Sequence, residues 1–95
     1  MADVRVTEPH SFSAAEAKAK IGAFEEMLAK YRVKVDWAGN SAKLKGIGVS
    51  GDINVTDRDC TVLVSLGRMA KMAGIDPVKL EGSIRKRLKA AFSPE

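Results

Sequence analysis

Between residues 33 and 66 the chain alternates apolar and polar residues in four successive runs, each separated from the next by a short turn signal. Val33, Val35 and Trp37 alternate with Lys34 and Asp36, and "AGNS" follows as a turn. In "AKLKGI", Leu44 points one way and Lys43 and Lys45 the other. Val49, Gly51, Ile53 and Val55 alternate with Ser50, Asp52 and Asn54; "TDRD" turns the chain; and "CTVLVSL" sets Cys60, Val62, Val64 and Leu66 on one side. Period two places every second side chain on the same face of a strand. Four such strands joined by tight turns predict an antiparallel meander with one apolar face.

A fifth run, "ADVRVT", alternates Val4 and Val6 with Asp3 and Arg5. It is separated from the meander by a helical segment, so it cannot form a hairpin with the next strand and is expected beside the last one. That segment, "SFSAAEAKAKIGAFEEMLAKY", opens with Ser13 and Glu16 in capping-box spacing. Ala17, Ile21, Phe24, Leu28 and Tyr31 make one stripe. Gly22 lies inside it at a cost of about 1 kcal/mol relative to Ala, and a close approach to the sheet is the expected reason. "GRMAKMAGI" fits either a short helical turn or a loop. "DPVKLEGSIRKRLKAAF" then begins a helix with Asp76 as N-cap and Pro77 at the first helical position. Leu80, Ile84, Leu88 and Phe92 form its stripe, and Ser93, Pro94 and Glu95 end it. The order is β-α-β-β-β-β-α. The predicted fold is α+β: an antiparallel sheet of about five strands with two helices on one face, a single domain over residues 1–95.

"GIGVSG", residues 46–51, is a literal G-x-G-x-x-G. Cradling a pyrophosphate requires that motif to leave a strand and open a helix. Here strands flank it on both sides, so the reading is a hairpin and a bulge.

The residues limit the chemistry that can be expected. His10 is the only histidine and Cys60 the only cysteine, and Cys60 shares a face with Val62 and Val64. A strand cysteine among aliphatics behaves as a small hydrophobe, and His10 reads as a surface or capping residue. No catalytic residue, metal site or cofactor is expected, since one His and one Cys fall short of a closed zinc site. Asp52, Asp57 and Asp59 lack calcium-loop spacing and read as a solvated turn. No apolar run nears the roughly 20 residues that span a bilayer. The opening "MADVRVTEPH" is too polar for a signal peptide, and a lone cysteine makes no internal disulfide. A cytoplasmic location is the expectation.

The net charge of +4 is localised. Lys79, Arg85, Lys86, Arg87 and Lys89 stand against Glu81 alone, a net of +4, and the other eleven basic and eleven acidic residues cancel. The last helix is therefore the candidate docking surface, through Lys79, Arg85, Lys86 and Lys89. It could serve nucleic-acid binding or regulation as the alternative function, since phosphate contacts need only such charges. Aromatic stacking platforms are missing, however, because Phe24, Tyr31, Trp37 and Phe92 all fall on apolar faces. Met69 and Met72, adaptable side chains beside a glycine, and Trp37 are the candidate residues for a small apolar ligand. Trp37 is also expected to anchor the core.

Five short motifs appear in order between His10 and Phe92: "HSFSAAEAKAKI", "VDWAGN" with Trp37 and Gly39, "GVSGDINV", "VSLGRM" and "LEGSIRKRL". In these the chain resembles the polyhydroxyalkanoic acid system proteins, small bacterial proteins found near polyester-granule genes. It departs from the pattern at "GRMAKMAGID", which is longer and less regular. The resemblance implies a reduced helix-grip domain whose curved sheet wraps the C-terminal helix, with a small apolar pocket between them. It carries no catalytic residue. The implied function is that of a non-enzymatic accessory protein of polyester storage, binding a granule surface, a granule-associated protein or a small apolar ligand.

Overall fold

A computed structural model describes residues 3–30 and 32–92, the Ala23 side chain apart. Tyr31 of the first helical stripe and the Ser93–Glu95 stop lie outside the described residues. The elements are β1 (Val4–Pro9), α1 (Ala14–Lys20), α2 (Gly22–Lys30), β2 (Lys34–Ala38), β3 (Ser41–Gly46), β4 (Val49–Val55), β5 (Asp59–Leu66), α3 (Arg68–Met72) and α4 (Pro77–Phe92). The five strands form one antiparallel sheet in the order β1-β5-β4-β3-β2. The first strand pairs with the last, Val4 opposite Val64 and Val6 opposite Val62, as the intervening helical segment requires.

The register turns the alternation into layers. One inner row reads Val6, Val62, Ile53, Ala42, Trp37, and the next reads Val4, Val64, Gly51, Leu44, Val35. Val4, Val6, Leu44, Ile53, Val62 and Val64 are buried. Ile21, Phe24, Met27 and Leu28 from the first helical pair, with Leu80, Ile84, Leu88 and Phe92 from α4, bury their stripes in the same core cluster. Met27 is a core residue that the sequence stripe omitted.

The predicted single first helix is two segments that meet at Ile21, whose backbone leaves helical geometry (φ −91°, ψ 18°). The Ile21 carbonyl accepts from the N–H groups of Phe24 (3.0 Å) and Glu25 (3.1 Å), so hydrogen bonding continues across the bend. Gly22 marks this junction. A Cβ there would meet nothing within 4 Å, so close approach to the sheet is not the reason for the glycine.

Local hydrogen bonds fix the ends. Ser13 Oγ accepts from Glu16 N–H and donates to Glu16 Oε1, both at 3.2 Å. Asp57 Oδ1 accepts from Ala14 N–H at 2.9 Å, tying the β4–β5 turn to the start of α1. Asp76 Oδ1 accepts from Val78 N–H at 2.9 Å and caps α4. Such caps stabilise by about 1 kcal/mol each. At the end of α2, Arg32 N–H donates to the Ala29 carbonyl and Val33 N–H to the Leu28 carbonyl, each at 3.0 Å. This paired pattern reverses the chain into β2, with Arg32 at φ 60° in the position glycine usually takes.

"GIGVSG" is a hairpin and a strand. Gly46 pairs with Val49, leaving Ile47 and Gly48 as a two-residue loop in which Gly48 has φ 73°. The Gly48 carbonyl accepts from Gly67 N–H at 2.6 Å. The chain leaves this loop as β4, so the motif does not itself open a helix; the start of α3, which packs against Gly48, belongs to a later segment. Gly51 lies inside β4, where a Cβ would overlap the Leu63 carbonyl oxygen and sit 3.1 Å from Val64 Cα. Strand backbone crowds it, and no flexible side chain can yield.

These two glycines, Gly51 and Gly22, are expected to respond oppositely to the same substitution. Gly51→Ala should destabilise by about 3 kcal/mol or more, the upper range for overpacking. Gly22→Ala should stabilise by about 0.5–1 kcal/mol, the helix-propensity difference. Urea unfolding of both variants checks the pair; equal effects would contradict the described packing.

Candidate functional site

The inner face leaves almost no room. The space between sheet and helices, lined by Leu28, Val33, Leu44, Val49, Val64, Leu66, Ile75 and Leu80, has a volume of about 10 Å³. That is about one water-sized sphere, and every lining residue is apolar. The space between sheet and helices is therefore largely filled, by Leu28 from α2, Leu80 from α4, Ile75 and the strand residues around them.

The three residues expected to hold an apolar ligand do not converge. Trp37 is half-buried on edge strand β2, opposite Ala42. Its Nε1 donates to Glu25 Oε1, and Lys18 Nζ stands 4.7 Å from the ring centroid. This corrects its expected role as a core anchor: Trp37 packs against the core rim and is held by charged neighbours from α1 and α2. Met69 and Met72 lie on α3, which resolves the ambiguous stretch as a short helix. Met69 is in contact range of Gly48, in the β3–β4 loop. In register that loop adjoins Val49, four residues along β4 from the row that holds Trp37, or about 13 Å.

Met69 and Met72 do not fill the core. They are 63% and 80% exposed, and Ile47 in the neighbouring loop is 68% exposed. One end of the molecule thus carries three large apolar side chains in water. Ile47, a strand residue by alternation in "AKLKGI", instead occupies the two-residue loop; its position between two glycines was the signal. Beside α3 runs an open groove of about 380 Å³ lined by Ala73–Asp76, Lys79, Leu80 and Ser83.

The charged face of α4 is where periodicity placed it. Lys79, Arg85, Lys86, Arg87 and Lys89 are exposed, while Leu80, Ile84 and Leu88 are buried. Arg85 Nη2 lies 3.4 Å from Glu81 Oε2, so its charge is partly offset. Lys79, Lys86, Arg87 and Lys89 join no ion pair among the described residues.

The titratable singletons are structural. Cys60 is fully buried, and burial first, then the Asp59 charge, push its thiol up from 9.0 to about 12. His10 is half-buried. Its Nδ1 accepts from Phe12 N–H at 3.0 Å, and its ring lies 4.8 Å from that of Phe92. It closes one end of the core as part of an aromatic cluster, which goes beyond the surface or capping role expected of it. The aspartates also divide: Asp57 caps α1, Asp59 Oδ1 accepts from Thr56 Oγ at 3.1 Å, and Asp52 faces Lys43 at 4.0 Å. Among the described residues no His, Cys, Asp or Glu group could hold a metal, and no helix is long and apolar enough to cross a membrane.

Two outcomes test this reading. The raised Cys60 value means a thiol protonated throughout the neutral range. Alkylation at pH 8 should therefore follow global unfolding, with no fast phase in the native protein. By linkage, the stability associated with this thiol is complete below pH 9 and is lost between pH 9 and about 12. Trp37→Ala should cost about 2 kcal/mol, below the roughly 3–5 kcal/mol of a fully buried Trp. A loss near 5 kcal/mol in denaturant titrations would restore the core-anchor role.

The family model described as "putative polyhydroxyalkanoic acid system protein" matches residues 4–92. No curated protein and no solved structure matches the chain.

Proposed function

Because the chain belongs to the polyhydroxyalkanoic acid system protein family, we propose that it is a non-enzymatic accessory protein of polyester storage, acting in the cytoplasm by docking on the granule surface. The observation that carries this reading is the exposed group Ile47, Met69 and Met72, combined with a space of only about 10 Å³ between sheet and helices. A protein that accepted a small apolar ligand would need an interior cavity. A protein that docks needs apolar side chains on its surface, and exposed apolar clusters mark interaction sites. Methionine suits a polymer surface without fixed shape, because its unbranched chain adapts to irregular contacts. Lys79 lines the groove beside α3, and the basic face of α4 supplies the long-range field that guides approach.

The second reading is nucleic-acid or regulatory binding through α4, favoured by the four cations there that join no ion pair among the described residues. The two differ in physical origin. Docking through methionines is hydrophobic and resists salt, whereas phosphate binding releases counterions and weakens steeply with salt.

Cosedimentation with polyester particles, and fluorescence anisotropy with short DNA, across a salt series separate them. The wild-type chain should bind particles at both low and high salt. Met69→Ser combined with Met72→Ser should weaken that binding at least about tenfold, given about 1.5–3 kcal/mol for each fully buried Met. Arg85→Gln, Lys86→Gln and Lys89→Gln together should leave it within about threefold at high salt. Particle binding unchanged by the methionine substitutions would reject the docking reading. DNA binding alone, abolished by salt and by the Gln variant, would establish the second.

A further inference from the structure

The sheet has two edges, and they are built differently. Along β1 the even-numbered residues bond to β5, as His10 N–H donating to the Arg58 carbonyl at 2.9 Å shows. The odd-numbered residues face outward, and one of them is Pro9, which has no N–H to offer. The β2 edge has no such guard. Asn40 accepts from Val55 N–H at 2.9 Å, so the even-numbered residues of β3 bond to β4 and its odd-numbered residues to β2. Ser41, Lys43 and Lys45 are opposite Ala38, Asp36 and Lys34. The backbone N–H and C=O groups of Val35 and Trp37 therefore point away from the sheet, in the arrangement that templates another strand.

The exposed side chains of β2 are self-complementary. Across the outer face, signs alternate from Asp52 to Lys43 to Asp36, and Asp36 is the last residue before the edge. Lys34, two residues away, has only another lysine, Lys45, directly opposite it, an unfavourable arrangement on a sheet surface. Neither Lys34 nor Asp36 joins an ion pair among the described residues.

We infer that β2 is a homodimerisation edge: two copies pair antiparallel with Val35 opposite Val35, so that Lys34 of each faces Asp36 of the other. Only this register satisfies the charges. Antiparallel pairing that keeps the apolar face inward allows shifts of two residues on one strand. One shift sets Asp36 opposite Asp36, and the other sets Lys34 opposite Lys34. The hydrogen-bond parity agrees. Val35 residues exchange both backbone bonds, and Trp37 N–H meets the Val33 carbonyl of the second copy. The Lys34–Asp36 pairs occupy the non-hydrogen-bonded positions, where side chains approach most closely. Val33 N–H is already engaged by the Leu28 carbonyl, and the pairing does not use it. The two-fold axis stands perpendicular to the sheet. It keeps the helices of both copies on one face and points the two Gly48 ends in opposite directions, giving an isologous ten-stranded sheet.

The test uses the full chain and exploits the exchange symmetry. Sedimentation velocity across a concentration series reaching about 1 mM should show the mass rise from 10.2 kDa toward twice that value. Lys34→Asp alone and Asp36→Lys alone each place like charges opposite one another twice, and each should weaken dimerisation at least about tenfold. Mixing the two single variants should restore the dimer as a heterodimer, as should Lys34→Asp and Asp36→Lys in one chain. Amide exchange of the wild-type chain gives a readout independent of any variant: Val35 and Trp37 N–H should become protected as concentration rises. A monomer throughout the series overturns the inference. So does a dimer indifferent to both charge reversals, or one whose formation leaves the Val35 and Trp37 amides unprotected.

Discussion

Burial of one sheet face under the helices is the interaction on which the rest of this structure depends. Five short strands and two amphipathic helical layers cannot separately hide their apolar residues, and each completes the other. Leu80, Ile84, Leu88 and Phe92 from α4 and Ile21, Phe24, Met27 and Leu28 from the first helical pair meet Val4, Val6, Leu44, Ile53, Val62 and Val64 in one cluster. In a chain of this size that contact has little surplus. A large internal cavity would remove the contacts that stabilise the fold, at a cost that grows with its volume. The void of about 10 Å³ is what such a fold tolerates.

A small interior space is consistent with the proposed docking at the surface. At the end formed by the Gly48 loop and α3, Ile47, Met69 and Met72 stay in water. α3 is held from beneath: Ala70 is buried, and the Gly48 carbonyl bonds to Gly67 just before the helix. The methionines are therefore presented by a fixed backbone while their side chains remain adaptable. Lys71 Nζ, 3.9 Å from Asp3 Oδ1, and Asp3 Oδ2, accepting from Leu66 N–H at 2.7 Å, tie the same end to the start of β1. The basic face of α4 is a separate asset. Its charges make few contacts, which suits long-range attraction better than stability.

The two sheet edges show how one architecture can be guarded and open at once. Pro9 removes a donor from the β1 edge. On β2 the outward backbone groups of Val35 and Trp37 are flanked by one lysine and one aspartate, a pattern that repels misregistered copies and admits one register. Trp37, held by Glu25 and overlain by Lys18, braces the strand from its inner side.

Residues 33–66 disclosed four strands because period two is a local property: consecutive side chains face opposite ways whatever the partner. The capping residues Ser13 and Asp76, the helical stripes and the meander were legible for the same reason. So were the Cys60 environment, the hairpin nature of "GIGVSG" and the basic face of α4, since each depends on its immediate neighbours. Other features exist only once distant segments meet. Gly51 is required by the Leu63 carbonyl on the next strand, and Asp57 caps a helix more than forty residues earlier. Trp37 is half-buried on edge strand β2; the expected strand order already put β2 at an edge, but alternation does not report how far the helices cover an inward side chain there. Met69 and Met72 were ambiguous because a five-residue helix has too little periodicity to reveal which side faces water. The small volume left between sheet and helices was likewise a tertiary outcome. Sequence specifies which residues are apolar, but free volume is the difference between the space enclosed and the side chains that fill it, and only packing determines that difference.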